Sequence, residues 1–153
     1  MKGYKSAPSA DTVIEYGARN PCAIFSSMPI TATYDHQHRR VLATAEGRVT
    51  LEEIRSHLEE ERQEPALRYT ELFDVRDAVP DFPPADARIL VAWLRWLGER
   101  TRLGPTAVVV DSELAFGITR MVEMLVEDVA LVRPFRNKLD AELWLDEVGN
   151  SVN

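Results

Sequence analysis

A single cysteine, Cys22, stands in 153 residues. One thiol cannot close an internal disulfide, so packing must hold the chain, and a reducing, cytoplasmic setting fits. No His or Lys lies close to Cys22 in sequence, so an incidental thiol is the plainer reading than a reactive one. Positive charge is also short: 18 Lys and Arg face 25 Asp and Glu, a net charge of −7. That balance argues against the basic face nucleic-acid binding needs, and against docking on an anionic membrane. Long apolar runs are missing too. The first thirty residues hold no signal-peptide core, and no stretch approaches the roughly 20 apolar residues of a membrane span.

Catalytic groups are few. His36, His38 and His57 are the only imidazoles. None is expected near the strand ends where a Ser or Cys nucleophile would need a base. Ser112 does not lie in a Gly-x-Ser-x-Gly elbow, and neither a Gly-rich phosphate loop nor a CxxC occurs. These absences argue against an enzyme.

What remains is ordinary globular composition, 45% hydrophobic and 28% charged, at the length of one domain. Residues 1–28 stand apart. They are rich in Ser, Ala, Pro and Gly, and only Thr12–Tyr16 and Cys22–Phe25 could pair as strands. They are expected to be a weakly ordered arm, or a leader ahead of a true start at Met28. Residues 29–149 form the domain, and 150–153 a tail.

From Ile30 to Tyr34 apolar and polar residues alternate, as in a half-buried strand. Asp35–His38 is a turn, and Arg40–Glu46 returns with Val41 and Leu42 in the core. Thr50 and Glu53 form a capping box that opens a surface helix carrying Leu51, Ile54 and Leu58, and Pro65 ends it. Leu72–Val75 reads as a short strand, and Asp77–Pro84 as a proline-punctuated loop. Pro84 suits the first turn of a helix running to about Arg102. Ala107–Val110 is an unbroken β-branched run, as in a strand buried on both faces. Asp111 or Ser112 then caps a helix to about Glu127. Val129–Val132 is the next strand, and Asn137 caps a last helix. Alternation of this kind predicts an α/β fold: a mixed, mainly parallel five-stranded sheet flanked by four helices.

The pieces Thr106-Ala107-Val108-Val109-Val110-Asp111-Ser112, Ala115-Phe116-Gly117-Ile118-Thr119-Arg120-Met121, and Phe135 followed by Asp140-Ala141-Glu142-Leu143-Trp144-Leu145, taken with the element order, resemble the SpoIIAA-like family of the wider STAS group. The resemblance covers Ile30 to Val148. It implies a STAS-like fold and a regulatory role through protein binding. In that group a Ser or Thr after an Asp, following the third strand, is phosphorylated. Here no Ser or Thr occurs from Glu71 through Arg100, so that switch does not carry over.

Two helices carry apolar surplus. On Ala85–Arg102, Trp93, Trp96 and their apolar neighbours cover an arc of about 200°, more than the roughly 100° stripe a surface helix needs. A deeply set helix explains this as well as an interface edge does. On the next helix, Leu114, Ile118, Met121, Val122 and Leu125 share a core face, and Phe116 projects opposite, beside Thr119, Arg120 and Glu123. It is a contact residue or packs beneath the Pro80–Pro84 loop.

Asp74, Asp77, Asp81 and Asp111 are expected at one sheet edge. They could hold Mg²⁺ or Ca²⁺, but they match no calcium-loop spacing, and Asp commonly caps turns. Ser112 is an N-cap or an anion site. His36-x-His38 lacks a third ligand.

The reading is a non-catalytic regulatory module without a cofactor, binding a protein partner or a second copy through Phe116, Trp93, Trp96, Asp74, Asp77, Asp111 and Ser112. The alternative is a carrier of a small apolar ligand or lipid, which requires a concave apolar pocket of roughly several hundred Å³. A metal enzyme built on the Asp cluster is a third.

Overall fold

The computed structural model describes residues 28–152. The strand candidates at 12–16 and 22–25, and Cys22, lie outside the described residues. Strands β1 (Ile30–Asp35), β2 (Arg40–Val49), β3 (Thr70–Pro80), β4 (Thr106–Val109) and β5 (Val132–Phe135) form one sheet in the order β1-β2-β3-β4-β5. The β1–β2 hairpin is antiparallel and every other pairing is parallel. Helices α1 (Leu51–Gln63), α2 (Ala87–Gly98), α3 (Glu113–Val126) and α4 (Lys138–Val152) complete the fold. The expected mixed five-stranded sheet with four helices is present. Among the described residues no helix is long and apolar enough to cross a membrane.

Each parallel connection steps one strand in the same direction. Crossovers of one hand therefore place α1, α2 and α3 on one face. Among the described residues only α4, which follows the last strand, covers the other, where Ala141 and Leu145 pack on Leu72, Ala107 and Val109. Period-two alternation divides β3 between the layers: Leu72 faces α4, while Glu71 and Phe73 face the three helices. The Thr50 capping box forms, with the Thr50 hydroxyl accepting the Glu53 amide and Glu53 accepting the Thr50 amide.

Several boundaries and faces differ from expectation. Val41 is fully buried, but Leu42 is 47% exposed, because α4 reaches β3–β5 and leaves that face of β1 and β2 bare. The loop expected at Asp77–Pro84 is largely strand. Beyond Asp74, β3 loses β4 but stays paired with β2 as far as Val49↔Pro80. Pro80 is tolerated there because that side of the ribbon has no further strand to accept a donor. The helix expected to run from Pro84 to Arg102 is a 3-10 turn, Pro84–Asp86, followed by an α-helix that stops at Gly98. The last strand begins three residues later than expected. After α3, the amides of Val129 and Ala130 turn back to the Val126 carbonyl, so the chain straightens only at Val132.

The inward face of α3 is Ala115, Thr119, Val122 and Val126; Leu114 and Leu125 point outward. The helix is rotated from the expected phase because its smaller residues sit closest to its neighbours. Thr119 can be buried because its hydroxyl donates to the Ala115 carbonyl at 2.8 Å. Gly104 marks a second close approach: a Cβ there would lie 2.0 Å from the Tyr69 carbonyl oxygen.

Leu145 is fully enclosed by β3, β4 and α4. Leu145→Ala should cost about 2–5 kcal/mol in urea unfolding at unchanged m-value, the range for a large aliphatic side chain leaving a cavity.

Candidate functional site

Three polar residues lie inside the helical layer. His57 and Glu61 are one helical turn apart on α1 and so share a face. Glu71 lies in the middle of the sheet, between Val41 of β2 and Thr106 of β4. All three are buried, His57 and Glu61 at 5% exposure. His57 Nε2 donates to Glu71 Oε2 at 2.6 Å, and Glu61 Oε2 lies 2.7 Å from the same nitrogen. One N–H cannot serve both carboxylates. The geometry gives it to Glu71, leaving Glu61 Oε2 and His57 Nδ1 without hydrogen-bond partners. The Phe73 ring packs against His57, with centroids 5.3 Å apart.

Burial opposes charge on the imidazole. The Glu71 charge, its hydrogen bond and the Glu61 carboxyl beside the ring outweigh it, and His57 is pushed up to about 10. Burial, then the neighbouring Glu71 charge, pushes Glu61 up to about 8 despite the attraction of His57. Tyr34, beside Val41 on the same face, is raised by burial and by the α1 carboxylates of Glu60, Glu61 and Glu64.

The polar group borders an apolar cavity of about 160 Å³. Leu90 and Leu94 of α2 form its roof, and Phe73, Val75 and Val108 of the sheet its floor. It exists because α2 leans on α1 and α3 rather than on the strands. Apolar side chains of the two layers therefore face each other without interdigitating.

Asp74, Asp77 and Asp111 do gather at one edge, where all three act on the Arg76 guanidinium. Arg76 grips Asp74 through Nε and Nη2 at 3.0 and 2.7 Å, a bond that holds the Asp74 carboxyl below its usual range. Asp81 pairs instead with Arg48 at 2.7 Å. The Ser112 hydroxyl accepts the Ala115 amide at 3.1 Å, as an N-cap does. Phe116 is half-buried against Val110 and Ala115, with the Arg136 guanidinium 4.3 Å from its ring centroid. Trp93 is half-buried. Trp96 is 53% exposed and carries the Arg100 guanidinium 4.0 Å above its ring.

Trp96 forms one wall of a groove with Leu67, Tyr69, Arg39, Arg68 and Arg100. The Arg39 guanidinium lies 5.1 Å over the Tyr69 ring. Sequence reasoning found Trp96 but missed the arginines, which come from a turn, a loop and a helix end. It also missed His57, Glu61 and Glu71, though the i, i+4 His–Glu spacing was open to view.

The two raised groups make stability fall as pH rises. From about pH 4.5 to 8 the folded state holds a Glu61 proton that the unfolded chain has lost, and from about 6.5 to 10 it holds a His57 proton likewise. Urea midpoints should therefore decline from pH 5 to pH 10. Glu61→Gln should flatten the segment below pH 8, and an unchanged slope in that variant would contradict the assignment.

No family model matches the chain, and no curated protein does. Among solved structures it is similar to an uncharacterized protein of the DUF3478 family with a SpoIIAA-like fold from Shewanella loihica PV-4. The identity is 18%, the TM-score 0.54, and the overlap covers 76% of this chain and 93% of the other. No catalytic family is indicated. The architecture is a SpoIIAA-like fold, as the sequence resemblance led us to expect.

Proposed function

We propose that the protein is a non-catalytic regulatory module that binds an acidic segment of another protein in the groove beside Trp96. The observation that carries this is the groove's make-up: Trp96 and Tyr69 with Arg39, Arg68 and Arg100, on a chain whose net charge is −7. Trp, Tyr and Arg are the residue types that dominate binding energy at interfaces. Arg100 is engaged, donating to the Trp96 carbonyl at 2.8 Å with Glu99 3.8 Å away, so Arg39 and Arg68 are the guanidinium groups offered to a carboxylate. Among the described residues no carboxylate comes within ion-pairing distance of Arg39 or Arg68. A second copy of this chain, with a net charge of −7, is one such partner. The regulatory setting comes from the SpoIIAA-like fold, by analogy.

Trp96→Ala and Arg68→Glu should each weaken partner capture, or the dimer seen by light scattering, at least about tenfold without lowering the melting temperature, since both alter exposed hot-spot types. Added salt should weaken binding in the unsubstituted chain. Phe116→Ala should leave association intact, because Arg136 already covers that ring. Loss with Phe116→Ala and none with Trp96→Ala would refute the groove.

The cavity favours a second reading, a carrier of a small apolar ligand. At about 160 Å³ the space falls short of the roughly several hundred Å³ a lipid needs, and admits a molecule about the size of benzene. Native mass spectrometry of the purified chain should then show an adduct that Leu94→Trp, by filling the roof, removes. A bare mass in both proteins counts against this reading.

A further inference from the structure

We propose that His57, Glu61 and Glu71 form a binding site for a divalent transition-metal ion of the Zn²⁺ class, joining α1 to the centre of the sheet. Among the described residues this is the one group of three whose ligating atoms all lie within 4.8 Å of one another. The donors are one imidazole nitrogen and two carboxylate oxygens. Mixed N/O sets of this kind suit Zn²⁺ and its first-row neighbours, whereas Ca²⁺ asks for six to eight oxygens.

A second observation points independently to a missing ligand. Glu61 is 5% exposed, and its Oε2 faces the other two donors without a hydrogen bond. Buried polar atoms are rarely left so. Nε2 carries a single N–H and two carboxyl groups converge on it, so that N–H cannot serve both. A cation shared by all three takes one oxygen from each carboxyl group, gives Glu61 Oε2 a partner and offsets the carboxylate charge.

The geometry requires little movement. Nε2 lies 2.6 and 2.7 Å from the two carboxylate oxygens. Around a tetrahedral ion with bonds near 2.0 Å, ligand atoms sit roughly 3.3 Å apart, so the donors need to part by under about 1 Å. The frame is stiff: the Thr50–Glu53 capping box fixes the start of α1, and β3 is hydrogen-bonded on both sides at Glu71. Since His57 and Glu71 also border the apolar cavity, a fourth coordination position can open on that side.

The test uses the full chain, stripped with a chelator and titrated with ZnCl₂ near neutral pH by calorimetry and thermal melting. One equivalent should bind, and the melting temperature should rise. Glu61→Gln keeps the shape but cannot ionise to ligate, so it should fold and melt near the metal-free parent while binding zinc at least about tenfold more weakly. His36→Ala with His38→Ala, which leaves His57 as the one imidazole, should bind as the parent does. Absence of stoichiometric zinc binding overturns the proposal. So does binding that survives Glu61→Gln, or that disappears with His36 and His38. Stabilisation by Mg²⁺ or Ca²⁺ but not by Zn²⁺ overturns the ion class.

Discussion

A carboxylate in the middle of the sheet constrains everything on the helical face. Glu71 is flanked by Val41 and Thr106 and covered by α1, so solvent cannot compensate its charge. The imidazole of His57 reaches it directly, which ties the seating of α1 to a hydrogen bond of 2.6 Å. Leaving a buried carboxylate without a partner costs several kcal/mol, more than any single surface contact of α1 returns. The helix is thus seated by a polar contact as well as by Ile54 and Leu58. Glu61 joins the same group because a helix brings positions four apart onto one face.

The cavity follows from the same layer. With α1 seated on the sheet through Ile54 and His57, and α3 packed near β5, α2 rests on both helices and bridges the gap between them. Leu90 and Leu94 look down on Phe73 and Val108 across the space that remains. The layer therefore combines a polar group and a dry apolar space at adjoining positions. The Trp96 groove lies elsewhere, where a hairpin turn, the loop after α1 and the end of α2 meet. Deep site and surface groove are consequently separable by substitution.

Much of the architecture could be read from pattern. Strand–helix alternation, the capping box at Thr50, the β-branched run at Ala107–Val110 and the Ser112 cap are local signals, and local hydrogen bonding decides them. Errors fell where a neighbour decides. Leu42 is exposed because α4 is too narrow to cover five strands, and β3 continues to Pro80 because β2 continues beside it. On α3, apolar volume suggested one face, while close packing chose the face with Ala115 and a self-satisfied Thr119. Phe116, placed by that phase on the far side, instead lies between Val110 and Arg136.

Chemistry divides in the same way. The sequence alone determined the element order, the mixed sheet and the scarcity of imidazole and thiol, since composition, caps and periodicity are properties of neighbours along the chain. Tertiary structure decided that His57, counted as one of three scattered histidines, meets Glu61 and Glu71 in the interior. It also decided that Arg39, Arg68 and Arg100 surround Trp96. Such meetings depend on strand register and on how far each helix stands from the sheet, and both are set by packing across residues distant in sequence.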